Sequence, residues 1–255
     1  MATLRYVLLT AMRDRLYGAL MIGMAAIFLI SRFLTATALA EGRELGLAYA
    51  AMGSRTLLVL GIVIFVCFHV RRLHETREIE TILSRPLSLG GFVLSYCAGF
   101  MVVAAGLVLT MAVLMAVVLQ ADPWGLLLWS LSMLLESALV VALSLFCAVS
   151  LQSAVSSALA AIGFYAVARL STFFVDIAQH QSGSLFAVPG VGAALKYGPM
   201  ALAALMPRLD LFGQTSWLVY GPQGGWGAGT LLLQTALYLP LLTAATVFDL
   251  RRKRF

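Results

Sequence analysis

"GFVLSYCAGFMVVAAGLVLTMAVLMAVVLQ", residues 91–120, runs for thirty residues without a charged side chain. About 20 mostly apolar residues in a helix cross the hydrocarbon core of a bilayer, so this run reads as a membrane-spanning helix. The whole chain agrees with that reading. It is 62% hydrophobic and 11% charged over 255 residues, with a mean hydropathy of +0.97. An ordinary soluble domain is about 45–50% apolar and about 25% charged.

Working outward, six segments meet the spanning criterion: 16–34, 54–70, 91–120, 124–150, 153–175 and 228–249. The expected fold is all-α, a polytopic membrane protein with six transmembrane helices forming a single transmembrane domain over 1–255. Ala38-Leu39-Ala40 looks like a signal-peptide cleavage site, but the apolar run before it is too long and Arg32 interrupts its end. It reads as a retained first span.

Fifteen arginines and two lysines give a net charge of +6. No basic run is interleaved with stacking aromatics, so nucleic acid is not an expected partner. The charge is better read as topology. Arg5, Arg13 and Arg15, then Arg71, Arg72, Arg77 and Arg85, then the tail "RRKRF" place eleven cations on one side, against Arg32, Arg43, Arg55, Lys196 and Arg208 on the other. The positive-inside rule puts both termini in the cytoplasm, and the expected location is a bacterial inner membrane. Cys67, Cys97 and Cys147 sit in apolar segments without metal-ligand or redox spacing, and read as buried small hydrophobes.

Three segments between or before the spans have their own character. Residues 1–15 place Leu4, Val7, Leu8 and Met12 on one helical face, with Arg5, Arg13, Asp14 and Arg15 largely off it. That is the pattern of an interfacial helix. Residues 176–226 hold Pro189, Pro199, Pro207 and Pro222 among short apolar pieces, too short and interrupted to cross. They are expected to form interfacial or re-entrant short helices on the extracytoplasmic side, anchored by Tyr197, Trp217, Tyr220 and Trp226 at headgroup level. In the third and fifth spans, Gly99, Gly106, Ser153, Ser156, Ser157 and Gly163 would permit close helix packing.

The chain has no phosphate-binding GxxxxGK[ST] loop, no HExxH, no CxxC and no GxSxG. Any ATP must therefore be bound by another chain, and catalysis within this one is not expected. Two ionisable residues do lie inside spans, where a functional role is the default. Glu136 is about 12 residues, roughly 18 Å, from the outer end of the fourth span. Arg169 is about 6 residues, roughly 9 Å, from the outer end of the fifth. An ion pair therefore requires the arginine to reach inward, and otherwise Arg169 snorkels to the surface. Tyr165, one turn deeper, is nearer the level of Glu136 and could hydrogen-bond it. These residues either line a pathway or dimer seam, or form an internal bond between two spans.

The most polar stretch, "HETREIETILSRPLS" at 74–88, lies in the cytoplasmic region 71–90. Ile79, Ile82 and Leu83 fall within an arc of about 100° on a helix, with Arg77, Glu78, Glu80 and Arg85 elsewhere. Pro86 disfavours helix at Arg85, and Ser88 is placed to cap the next helix, which opens at "LGGFVL".

"REIETILSRPLSLGGFVLSY" resembles the signature of ABC type-2 permeases, a glutamate-rich turn, a short apolar run, a serine, Arg-Pro and a serine before the third of six spans. Glu78, Glu80, Leu83, Ser84, Pro86, Leu87 and Ser88 carry it. Where that pattern continues into a lysine, Tyr96 or a neighbour stands here. The resemblance implies the membrane half of an exporter, working as two permease copies, most simply a homodimer, with two cytoplasmic ATP-binding subunits. It also implies that Arg77, Glu78, Ile79, Glu80, Ile82, Leu83, Ser84, Arg85 and Pro86 form the coupling helix, and that ATP and Mg belong to the partner, leaving no cofactor in this chain. The apolar interior fits a hydrophobic or amphipathic cargo, with membrane lipids as neighbours. Two other classes fit the same residues: a permease-like adaptor that transmits motion to a periplasmic subunit, and a secondary transporter coupled to protons through Glu136.

Overall fold

The computed structural model describes residues 15–38, 41–76, 89–180, 197–198, 200–201, 206–221 and 228–252. The expected interfacial helix before residue 15 and the coupling residues 77–86 lie outside the described residues. Seven α-helices are present among those described: α1 Arg15–Thr37, α2 Gly42–Glu75, α3 Leu89–Leu119, α4 Pro123–Ser150, α5 Ala154–His180, α6 Ser216–Tyr220 and α7 Ala228–Arg252. A 3-10 helix, Leu209–Gly213, precedes α6. All but α6 are long and apolar enough to cross a membrane. The chain is an all-α, multi-pass membrane protein.

Between helices in lipid there is little hydrophobic drive, so packing, small residues and interhelical polar bonds hold the bundle. α4 is its axis: 78% of its spanning segment is buried, against 17% for α7 and 22% for α1. On α1 the buried residues are Leu20, Met24, Phe28 and Ser31, spaced to form one stripe that lies along α2. Ile22, Leu29 and Phe33 face outward. Of the small residues expected at close contacts, Gly99 and Ser157 are buried, but two of the glycines are not at a contact. Gly106 and Gly163 have open space where a side chain would go, whereas Gly46 and Gly61 of α2 lie directly against Thr35 and Leu20 of α1. Ser31 completes that seam by donating to the Gly46 carbonyl at 2.7 Å.

Helix ends are closed by local chemistry. Asp122 caps α4, accepting from the Gly125 N–H at 2.8 Å, and Pro123 occupies the first turn, where its missing N–H costs nothing. α3 ends with Gln120 in the left-handed region at φ 50°, the conformation that terminates many helices. Its last carbonyls are taken by two arginines: Arg32 donates to Val118 at 3.3 Å and Arg43 to Gln120 at 2.6 Å. Cations at a helix C-terminus are favourable. Tyr220 donates to Glu44 at 2.8 Å on the same rim, and this bond holds its phenol above the usual range. The other rim carries Arg71, Arg72, Arg251 and Arg252, with Arg252 over the Phe248 ring.

Two span boundaries differ from the sequence reading. The second helix starts at Gly42, not 54, because "GRELGLAYAAMGSR" continues the helix without a break. From Arg43 to Arg71 it rises about 42 Å at 1.5 Å per residue, close to the full thickness of a bilayer with its headgroups. Arg55, counted on the outer side by the sequence reading, is therefore inside the membrane. The fifth helix runs to His180 rather than 175, which places Arg169 about 16 Å from its end instead of roughly 9 Å.

Candidate functional site: a polar cluster within the membrane

Glu136 is a carboxylate in the most buried helix of the bundle, 1% exposed, where an unpaired charge would be costly. It is fully partnered. Arg55 of α2, itself 3% exposed, donates from Nη1 to Oε2. Tyr165 of α5 donates its hydroxyl to Oε1 at 2.9 Å. Arg169, one helical turn further along α5, reaches the same Oε1 from Nη1 at 3.4 Å. Two helices, α2 and α5, thus converge on one side chain of a third, α4.

The levels explain why these residues meet. Arg55 is twelve residues from Arg43, and Glu136 thirteen from Pro123, so both lie about 18–20 Å from the same rim at 1.5 Å per residue. With α5 extended to His180, Arg169 comes to about the same depth. Its guanidinium pairs inward instead of snorkelling.

The surroundings of the two arginines differ. Arg55 donates from Nη2 to Ser132 Oγ at 3.1 Å and lies over the Trp129 ring, 5.6 Å from its centroid, a cation–π contact two turns before Glu136 on α4. It is sealed on every side. Arg169 is 27% exposed, and its second partner is a backbone: Nη1 donates to the Leu209 carbonyl at 2.7 Å. Gly213 also packs on this guanidinium, where any side chain would coincide with it.

The segment 206–220 is therefore re-entrant. Leu209 and Phe212 belong to a second apolar core with Leu139 of α4, Ala168 of α5 and Leu231 of α7, while the Trp217 carbonyl presses on Gly125 at the N-terminal end of α4. Non-helical backbone at this depth is tolerated because protein covers it. Trp217, expected as a headgroup anchor, is buried at 6% exposure because it fills that core. Tyr197 and Tyr220 are exposed, and Trp226 lies outside the described residues.

Of the residues singled out in the sequence, Glu136, Tyr165 and Arg169 are brought together. Sequence reasoning missed Arg55, Ser132, Trp129 and the Leu209 carbonyl. The signal for Arg55 was present: apolar runs lie on either side of its immediate neighbours Ser54 and Thr56, and it stands about as far from Arg43 as Glu136 stands from the start of α4. Cys67, Cys97 and Cys147 are buried free thiols. Tyr96 is buried against Phe92, Phe100 and His69. Compared with protein-family models and with curated proteins, the chain matches none.

Proposed function

We propose that this chain is the membrane-spanning permease subunit of an ATP-binding-cassette exporter, its termini and the 77–88 stretch cytoplasmic, working as a homodimer with two separate ATP-binding subunits and moving a hydrophobic or amphipathic substrate outward. The observation that carries the reading is the position of the signature stretch. α2 runs to Glu75 at the rim that carries Arg71, Arg72, Arg251 and Arg252, and α3 begins at Leu89, so in sequence the signature stretch 77–88 is the connection between these two helices.

The polar cluster supplies a mechanism. Glu136 is shared by two cations of unequal standing. The Arg55 contact is buried on both sides and ties α2 to α4. The Arg169 contact is longer, partly exposed and tied through Leu209 to the re-entrant segment. A tilt of α2 and α3 driven by ATP-subunit closure leaves the first contact intact and exchanges the second, moving α5 and segment 206–220 against α4. For such coupling, the ATP-bound and free motor must bind the two permease arrangements with different affinity.

The test is copurification. The unaltered chain is expected to bring down its ATP-binding subunit, and Glu78→Lys with Glu80→Lys is expected to lose it and to uncouple hydrolysis from transport while the spanning helices remain folded by circular dichroism. Normal copurification and transport by that double variant would remove the assignment.

A further inference from the structure

α3 and α7 both pack on α4 and contact each other. Towards the arginine-rich rim they leave an open groove of about 420 Å³, within the roughly 300–1,000 Å³ of small-molecule pockets. One wall is a single stripe of α7, from Pro240 through Ala244 and Val247 to Arg251, and the other is the start of α3 at Gly90 and Val93. Leu94 and Phe248, also in the walls, are both 61% exposed, so the groove opens on the lipid-facing surface. Thr243, the one hydroxyl in the walls, donates back to the Leu239 carbonyl at 2.9 Å and is spent inside its own helix. From Pro240 to Arg251 the groove runs about 16 Å at 1.5 Å per residue, close to half of the roughly 30 Å hydrocarbon core. It is as long as one leaflet is deep, and its shallow end is at headgroup level.

Among the described residues, Arg251 is the one charge in the walls. It is exposed, and none of those residues hydrogen-bonds or ion-pairs with it. The other charges of this rim are placed elsewhere. Arg71 pairs with Glu75 on α2 at 3.0 Å, Arg252 lies over the Phe248 ring, and Asp249, two residues before Arg251, lies about 200° round the helix from it. Arg15 and Arg72 belong to α1 and α2, which do not line the groove. The described rim thus sets these five arginines against two carboxylates. Residues 77–88 and 253–255 lie outside the described residues; the first stretch has two arginines and two glutamates and the second has Lys253 and Arg254, so neither carries net negative charge. The start of α3 adds the positive end of its helix dipole.

We propose that this groove binds one acyl chain of an anionic phospholipid from the leaflet at the arginine-rich rim, with the headgroup phosphate on Arg251. The chain lies along Val247 and Ala244 towards Pro240, and the guanidinium offers paired N–H donors to the phosphate oxygens. A zwitterionic lipid brings its own cation to a rim already in cationic excess, which selects for the anionic headgroup. The site goes beyond the exporter reading and does not need a motor subunit on the chain.

The experiment places the full chain in phosphatidylcholine nanodiscs doped with phosphatidylglycerol or phosphatidylcholine that carries a diazirine at the end of one acyl chain. Illumination is expected to label peptides containing Val93 or Pro240–Val247, about fivefold more with phosphatidylglycerol. Arg251→Gln is expected to bring the two lipids level and Arg251→Lys to keep part of the preference. Arg72→Gln, on the same rim outside the groove, is expected to leave the preference unchanged. Ala244→Trp fills the groove and is expected to abolish labelling there, and glycerol phosphate, a headgroup without chains, is expected not to compete. Equal labelling by the two lipids, or a loss of preference in Arg72→Gln as large as in Arg251→Gln, would mean diffuse rim charge and overturn the proposal. Labelling confined to outward residues such as Leu109 and Leu233 would mean that protein covers the groove, and competition by glycerol phosphate that the site takes a free phosphate; each overturns it as well. The comparison of the two lipids is made on the unaltered protein and stands even if Ala244→Trp fails to fold.

Discussion

α2 carries two arginine–carboxylate pairs that share a chemistry and differ in almost everything else. Arg71 and Glu75 lie one turn apart on the same helix, 3.0 Å from each other, 41% and 62% exposed. Arg55 and Glu136 join different helices and are 3% and 1% exposed. Water and salt screen the first pair, and its partners are neighbours whether or not the bundle is assembled. In the second, Arg55 is sealed in with Glu136 as the carboxylate that balances it, and Glu136 also meets Tyr165 and Arg169, so the pair couples the placement of α2 to that of α4 and, through those two residues, to α5. Adjacency on one helix brings the exposed pair together, whereas burial makes the other one matter.

Substitutions can break this contrast at graded depths, each measured as thermal or denaturant stability of the purified protein. The largest effect is expected for Glu136→Leu, which strands Arg55 without a counter-charge; losing one partner of a buried pair costs about 3–5 kcal/mol. Gly213→Ala puts a methyl group where the Arg169 guanidinium lies, and overpacking of this kind costs about 1–3 kcal/mol. It should displace Arg169 from Glu136 while leaving Arg55 in place, so a crosslink between α2 and α4 survives and one between α5 and segment 206–220 is lost. Tyr165→Phe removes a single interhelical bond and should cost about 0.6–1.7 kcal/mol. Asp122→Ala unseats the α4 cap for about 1 kcal/mol. Glu75→Gln at the exposed pair should cost no more than about 0.5 kcal/mol, and a loss approaching that of Glu136→Leu would erase the distinction between the two pairs.

The helices were legible because apolar runs of spanning length leave no other satisfied arrangement of the backbone in a bilayer. Glu136 was legible for the complementary reason, as a charge where none is expected, and its depth led to Tyr165. Arg55 was hidden by a boundary. The stretch from Gly42 to Ser54 has enough glycine, glutamate and arginine to read as a loop, yet it is continuous helix that packs on α1 through Gly46. The level of Arg169 was hidden in the same way by the polar end of α5. The re-entrant turn could be expected from its prolines and short apolar pieces, but not its depth, which depends on Gly213 and Gly125 admitting other parts of the chain at van der Waals contact.

A double-mutant cycle on the two pairs tests most directly that the buried cluster is what joins the spans. Glu136→Leu, which leaves the sealed Arg55 without a counter-charge, is expected to destabilise by about 3–5 kcal/mol; Arg55→Met, which leaves Glu136 with Arg169 and Tyr165, by less; and the double variant, in which only the partly exposed Arg169 loses its carboxylate, by less than Glu136→Leu alone. The coupling between them then exceeds the whole cost of Arg55→Met, against about 0.3–0.5 kcal/mol for the same cycle at Arg71 and Glu75. A buried coupling no larger than the exposed one would contradict the account.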